Sequence, residues 1–157
     1  MSIFISSDHA GFELKKHLLE YLKGKGVEIV DKGPFEYVEG DDYPDWISLV
    51  AEEVSRDPMH AQGIVIGLSG QGEAIVANKF RNVRAGVYYG NGNKEEIIKL
   101  LREHNDANVL SLGAKFLTPE EAERAVDVWI ETKFSGDERH LRRIQKITNI
   151  GRMQSNK

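Results

Sequence analysis

The chain has 157 residues, is 40% hydrophobic, carries a formal net charge of −4 and contains no cysteine. That length suits one domain whose core needs no disulfide or structural metal, and the missing thiol excludes thiolate catalysis and cysteine metal ligands. The acidic balance offers no electrostatic drive toward nucleic acid or an anionic membrane, so small molecules and proteins are the expected partners.

The N-terminus, Met1 to Asp8, lacks a basic start, and its apolar run is too short for a signal peptide or a membrane span, which makes the cytoplasm the simplest location. Ile3-Phe4-Ile5 reads as a strand, and from Phe12 to Leu22 apolar residues recur at three- and four-residue steps, as on an amphipathic helix. Lys23-Gly24-Lys25-Gly26 ends that helix, Val27 to Asp31 is a second strand, and Lys32 to Asp42 is a polar, turn-rich loop. A helix starts near Pro44, with Asp42 or Tyr43 before it, and runs through Trp46, Leu49, Val50 and Val54 to Asp57-Pro58. Gly63 to Ile66 is the third strand, followed by a glycine-rich turn and a helix through Lys79. Ala85 to Tyr89 is a fourth strand, Lys94 to Glu103 a helix, and Asn108 to Leu112 a fifth strand. Thr118-Pro119-Glu120-Glu121 has a cap, a proline at the first helical position and a glutamate in the capping-box place, opening a helix to about Lys133. A last helix spans about Asp137 to Ile150, leaving one domain over residues 1–150 and a frayed tail from Gly151.

Alternating strands and helices imply an α/β fold: a Rossmann-like three-layer sandwich with a five-stranded parallel sheet covered on both faces. Ligands in such sheets bind beyond the C-terminal strand ends, where the strand order reverses. With the order 2-1-3-4-5, that crevice lies between the first and third strands. The segments leaving those strands are Ser7-Asp8-His9-Ala10-Gly11 and Gly67-Leu68-Ser69-Gly70-Gln71-Gly72-Glu73, the two most polar and glycine-bearing turns of this type. The glycines allow close approach of a ligand to the backbone. Glu73, in the first helical turn, would repel a nucleotide phosphate, so the loop suits acid/base chemistry on a small substrate whose phosphate is held elsewhere.

Five spaced motifs carry a resemblance along nearly the whole chain: Ser7-Asp8-His9-Ala10-Gly11, Asp42-Tyr43-Pro44-Asp45, Gly70-x-Gly72 with Ala77-Asn78-Lys79, Arg102-Glu103-His104-Asn105-x-Ala107-Asn108, and Arg139-His140-x-x-Arg143. Together they resemble the ribose-5-phosphate isomerase B family, which includes the LacA/LacB galactose-6-phosphate isomerase subunits. The resemblance implies a homodimer, or a tetramer of paired dimers, with a site shared between subunits, acting on a sugar phosphate with no metal or other cofactor. Many members place a cysteine base where Gly67 stands; another branch, typified by actinobacterial enzymes, uses a glutamate where Glu73 stands, and this chain resembles the second. Lys115 stands where members often carry arginine, keeping the charge but losing the bidentate geometry.

Aldose–ketose isomerisation moves a proton between adjacent carbons through a cis-enediolate, so a single carboxylate serves both transfers. Glu73 is the candidate base, with its helix-terminal position favouring ionisation and its burial opposing it. Ser69 and the N–H groups around Gly70 to Gly72 are candidates for holding the enediolate oxygens. The resemblance assigns ring opening to His104, helped by Asp8 or His9. Arg139 and Arg143, one helical turn apart, can grip one phosphate, while Tyr43, Asn105 and Lys115 complete the candidate substrate contacts.

Each of these residues has a plainer reading. Glu73 alone is a favourable first-turn acid, Asp8 a helix cap, His9 and His104 structural histidines, and Asn105 a turn residue. Tyr43 alone packs its loop, and Arg139 with Arg143 alone is a solvated basic face. Pentose and hexose phosphates remain alternative substrates. A catalytically silent sugar-phosphate-binding subunit is the competing class, and a nucleotide-binding protein is disfavoured by Glu73 and by the absent Gly-x-Gly-x-x-Gly spacing after the first strand.

Overall fold

In the computed structural model of the chain, which describes residues 2–90 and 94–155, residues 94 and 151–155 by their backbone alone, strands and helices alternate as the hydrophobic periods require. β1 (Ser2–Ser7), β2 (Ile29–Asp31), β3 (Ala61–Gly67), β4 (Ala85–Tyr88) and β5 (Val109–Gly113) are interleaved with α1 (Phe12–Gly24), α2 (Tyr43–Arg56), α3 (Gln71–Ala77) and α4 (Lys94–Asn105). α5 (Pro119–Glu131) and α6 (Glu138–Ser155) follow. Two 3-10 turns with no signature in the periodicity, His9–Gly11 and Ala114–Phe116, leave β1 and β5.

All pairings are parallel, and the sheet order is β2-β1-β3-β5-β4. The expected order 2-1-3-4-5 is therefore wrong at its last two places. β5 is buried at every position and fits the interior, whereas the first three residues of β4 are only half-buried, as an edge strand's are. The reversal between β1 and β3, which defines the crevice, is unaffected by the exchange.

Alternate residues of the central strands face opposite layers. Ile3, Ile5, Ile64, Ile66, Leu110 and Leu112 pack with Leu18 and Leu22 of α1, Ile98 of α4 and Val126 and Trp129 of α5. Val65 and Val109 pack on the other side with Ile47, Val50 and Val54 of α2 and Ala77 of α3. The result is the Rossmann-like three-layer sandwich that the alternating pattern implies.

Several boundaries are set by polar side chains that a hydrophobic period does not register. α3 stops at Ala77, short of Lys79, where Asn78 turns to β4: its Nδ2 donates to Ala85 O at 3.0 Å and its Oδ1 accepts from Ala85 N at 2.9 Å. The buried Lys15 on α1 donates to both carboxylate oxygens of Asp31 at 2.7 and 2.9 Å and to Pro34 O at 2.6 Å, pinning the start of the 32–42 loop against α1. Thr118 and Glu121 form the expected capping box on α5. The α6 backbone continues past Ile150 to Ser155, and the rest of the tail lies outside the described residues. Among the described residues, no helix is long and apolar enough to cross a membrane.

Candidate active site

The crevice is assembled where β1, β3 and β5 end. Asp8 N donates to Ile66 O at 3.2 Å, joining the turn after β1 to the end of β3, and Asp8 Oδ1 accepts from Gly11 N at 3.0 Å, capping the 3-10 turn. Lys115 N donates to Leu68 O at 3.1 Å, so the turn after β5 is tied to the loop after β3. Gly70 adopts φ 78°, a left-handed conformation that favours glycine, and its carbonyl accepts from the buried Ser111 Oγ at 2.6 Å. The loop is thus clamped from below by β5.

Glu73 is 4% exposed although it sits in the first turn of α3. Its carboxylate lies over Gly67, where a Cβ would come within 1.8 Å of Oε1 and 2.2 Å of Cδ. Only a residue without a side chain leaves room for the acid to fold back over the end of β3. Burial pushes the Glu73 pKa up, the nearby charge of Asp8 adds to that, and the N–H groups of Glu73 and Gly70 oppose it. Asp8 is also raised, chiefly by burial, against the opposing hydrogen bond from Gly11 N–H and the charge of His9. Helix-end stabilisation and burial, set against each other by the sequence, therefore resolve in favour of burial.

Other predicted residues gather around this acid. Tyr43, the first residue of α2, lays its ring over Gly72, where a Cβ would meet its Cζ at 2.9 Å. Ser69 Oγ accepts from Gln71 N at 3.3 Å, so one N–H of the loop is held by a side chain of the loop itself. Lys115 is exposed on the 3-10 turn that packs against the one carrying His9. His9 Nδ1 lies 2.7 Å from Asp41 Oδ1, which also accepts from His9 N at 2.9 Å. Asp41 carries no motif of its own in the sequence and was not among the expected site residues; only the acidic pair Asp41-Asp42 before Tyr43 marks it.

His104, Asn105, Arg139 and Arg143 are placed elsewhere. α4 starts beyond β4 and returns antiparallel to the strands, so its last turn lies at the N-terminal edge of the sheet. There Arg84, just before β4, donates to Asn105 O at 3.0 Å and Asp106 O at 2.9 Å. The ring of His104 stacks on His140, with centroids 4.2 Å apart and planes at 13°, and Arg139 Nε donates to His140 Nε2 at 3.2 Å. His140 is buried, and desolvation lowers its pKa, reinforced by the charges of His104, Arg139 and Arg143 and opposed by Asp137. One chain thus brings together Asp8, His9, Tyr43, Ser69, Gly70, Gly72, Glu73 and Lys115, and gathers the remaining candidates into a second cluster at the opposite edge of the sheet.

A doubly wound parallel sheet with a buried acid over a glycine at its switch point defines an α/β protein with an acidic crevice at the C-terminal ends of its strands. Residues 3–147 match the family model described as Ribose/Galactose Isomerase, and the chain belongs to that family. It is 41% identical over 146 residues to a probable ribose-5-phosphate isomerase B from Mycoplasma genitalium, covering 93% of each chain. It is 37% identical to the ribose-5-phosphate isomerase B of Mycobacterium leprae, covering 97% of this chain and 91% of the relative. The crystal structure of the M. genitalium ribose-5-phosphate isomerase B with bound ribulose-5-phosphate superposes with a TM-score of 0.90 at 40% identity, over 96% of both chains.

Proposed function

We propose that this protein interconverts ribose 5-phosphate and ribulose 5-phosphate through a cis-enediolate, with Glu73 as the base. The observation that carries the reading is the Glu73 carboxylate, buried over Gly67 with its pKa raised, at the crevice where the turn after β1 meets the loop after β3. A carboxylate whose basicity is increased by burial accepts a carbon-bound proton more readily than an exposed one. Glu73 takes the proton from C2 of the open-chain aldose and, as the carboxylic acid, returns it to C1, while the proton on O2 moves to O1. Gly67 supports placing the chain in the glutamate-base branch, because the space a side chain at that position would fill is occupied by the glutamate. The name and bound ribulose-5-phosphate of the relatives favour the pentose over a six-carbon phosphate.

The site is completed by a second copy of the chain. Within one chain His104, Asn105, Arg139 and Arg143 lie at the sheet edge opposite Glu73, so the substrate contacts they provide are made in the partner's crevice. Leu141, Ile147 and Ile150 along α6 are 51%, 52% and 59% exposed, and Ile97 on α4 is 54% exposed, apolar surface available to a homodimer contact. In that arrangement His104 opens the furanose ring, Ser69 and the loop N–H groups hold the enediolate oxygens, and Arg139 with Arg143 grips the phosphate. Asp8 and Tyr43 line the reacting end, and Lys115 adds positive charge at the rim. No step calls for a metal or other cofactor, and the sugar phosphate is a cytoplasmic metabolite in this reading. Replacing Glu73 with Gln should leave a folded protein whose turnover of ribose 5-phosphate falls by about 10²–10⁴-fold; near-normal turnover in that variant removes Glu73 from the mechanism.

A further inference from the structure

His9 is held in a way that its sequence motif does not explain. A single oxygen, Asp41 Oδ1, accepts both the backbone N–H of His9 at 2.9 Å and the Nδ1 of its ring at 2.7 Å. The Asp41 side chain is 7% exposed, and its second oxygen is buried with no hydrogen-bond partner among the described residues. A carboxylate so placed is costly unless a cation sits against it, and the group against it is the imidazole of His9. The ring itself is 34% exposed.

The surroundings restrict what His9 can do. Tyr37 meets its ring edge-on with centroids 6.5 Å apart, from the same loop that supplies Asp41. Asp8 precedes it in the chain, and the 3-10 turn bearing Lys115 packs against its own turn. The hydrogen bond to Asp41 raises the His9 pKa, the charges of Asp8 and Asp41 add to it, and desolvation opposes it. With Nδ1 engaged, Nε2 is the ring nitrogen left to meet a ligand.

We propose that Asp41 is a positioning residue for His9, holding the ring by Nδ1 so that Nε2–H is presented to the crevice as a fixed, cationic donor to an anionic oxygen of the substrate. The 32–42 loop, pinned at its start by Lys15 and at its end by this pair, is thereby part of the binding apparatus. The identity of the anion as a sugar phosphate rests on the isomerase reading; the geometry of the pair does not.

Two measurements separate these layers. Long-range proton–nitrogen NMR of the imidazoles, with the His9 signals assigned by their loss in His9→Gln, should show Nδ1 protonated and a midpoint above 6.5 in the wild type. Asp41→Asn should lower that midpoint and release the tautomer. In turnover of ribose 5-phosphate, Asp41→Asn should raise KM by about tenfold, with kcat changed by less than about threefold, as expected for the loss of a charge-assisted binding contact. The KM penalty should start at lower pH than in the wild type, and Asp41→Glu should recover part of the loss. In a His9→Gln background Asp41→Asn should have no further effect on KM, which a merely loop-stabilising carboxylate would not satisfy. An unchanged His9 titration in Asp41→Asn, or a KM penalty that persists in the His9→Gln background, overturns the proposal. Absence of turnover in the wild type instead overturns the isomerase reading, and the NMR titration, repeated with inorganic phosphate as the probe, then decides the role of Asp41 by itself.

Discussion

Glu73 and Gly67 occupy one volume between them. A Cβ on residue 67 would stand 1.8 Å from Glu73 Oε1, so Gly67→Ala must drive the carboxylate out of its seat. The expected outcome is a loss of kcat/KM of about a hundredfold, the order attached to a displaced acid/base group. Steady-state kinetics on Gly67→Ala, Glu73→Ala and the double variant test this: the double variant should be no worse than Glu73→Ala, because the collision disappears with the acid. The buried acid also has a linkage consequence. Its folded pKa lies above the ordinary value of 4.5, so the folded state binds more protons than the unfolded one as pH rises through that window. Its contribution to stability is thus fully present below 4.5 and is lost as pH climbs through the raised value. Glu73→Gln should therefore melt higher than the wild type at pH 7. The difference should vanish in acid, and thermal melts of both proteins across pH check it. At this scale the sequence was legible where a residue has a local reason for its place: Glu73 in a first turn, Asp8 as a cap, glycines in a tight loop. Asp41 was not, because its partner is 32 positions away and the contact exists only once the loop has closed.

Elements show the same division between local and distant causes. The capping box of α5 is complete within four residues, with Thr118 Oγ1 accepting from Glu121 N at 3.2 Å and Glu121 Oε2 accepting from Thr118 N at 3.0 Å. Its signature could therefore be read directly. Thr118→Ala should lower unfolding free energy by about 1 kcal/mol, which urea denaturation measures. The end of α3 and the two 3-10 turns were less legible. Asn78 ends its helix by pairing with Ala85 of β4, and the turn Ala114–Phe116 is held by Lys115 N on Leu68 O at 3.1 Å. Both are tertiary bonds with no periodicity to announce them. The Lys15–Asp31 pair similarly joins α1 to β2 and to the loop that carries Asp41, linking an apparently ordinary helical lysine to the placing of His9.

At the scale of the whole molecule, the sheet decides which residues can share a site. The alternation of strands and helices made the class of fold and the switch point between β1 and β3 legible, but the expected order exchanged β4 and β5, because which of two short strands lies at an edge depends on what covers them. The same topology sends His104 and Asn105 to the N-terminal edge while Glu73 stays at the C-terminal one, and a linear string of motifs carries no sign of that separation. If two copies combine their edges, Glu73→Gln and His104→Asn should complement each other. A heterodimer then holds one site with both changes and one with neither, so subunit exchange at equal concentrations should restore about a quarter of wild-type activity from two nearly inactive proteins. A mixture that stays inactive after exchange, with heterodimers verified by native mass spectrometry, would contradict a shared site. The central claim, proton transfer by Glu73 on a pentose phosphate, is tested most directly by proton NMR of ribose 5-phosphate in heavy water with the wild type and, separately, with Glu73→Gln. Ribulose 5-phosphate formation with deuterium entering at carbon in the wild type alone is the expected result. Equal isomerisation and exchange in both proteins, or none in either, would contradict it.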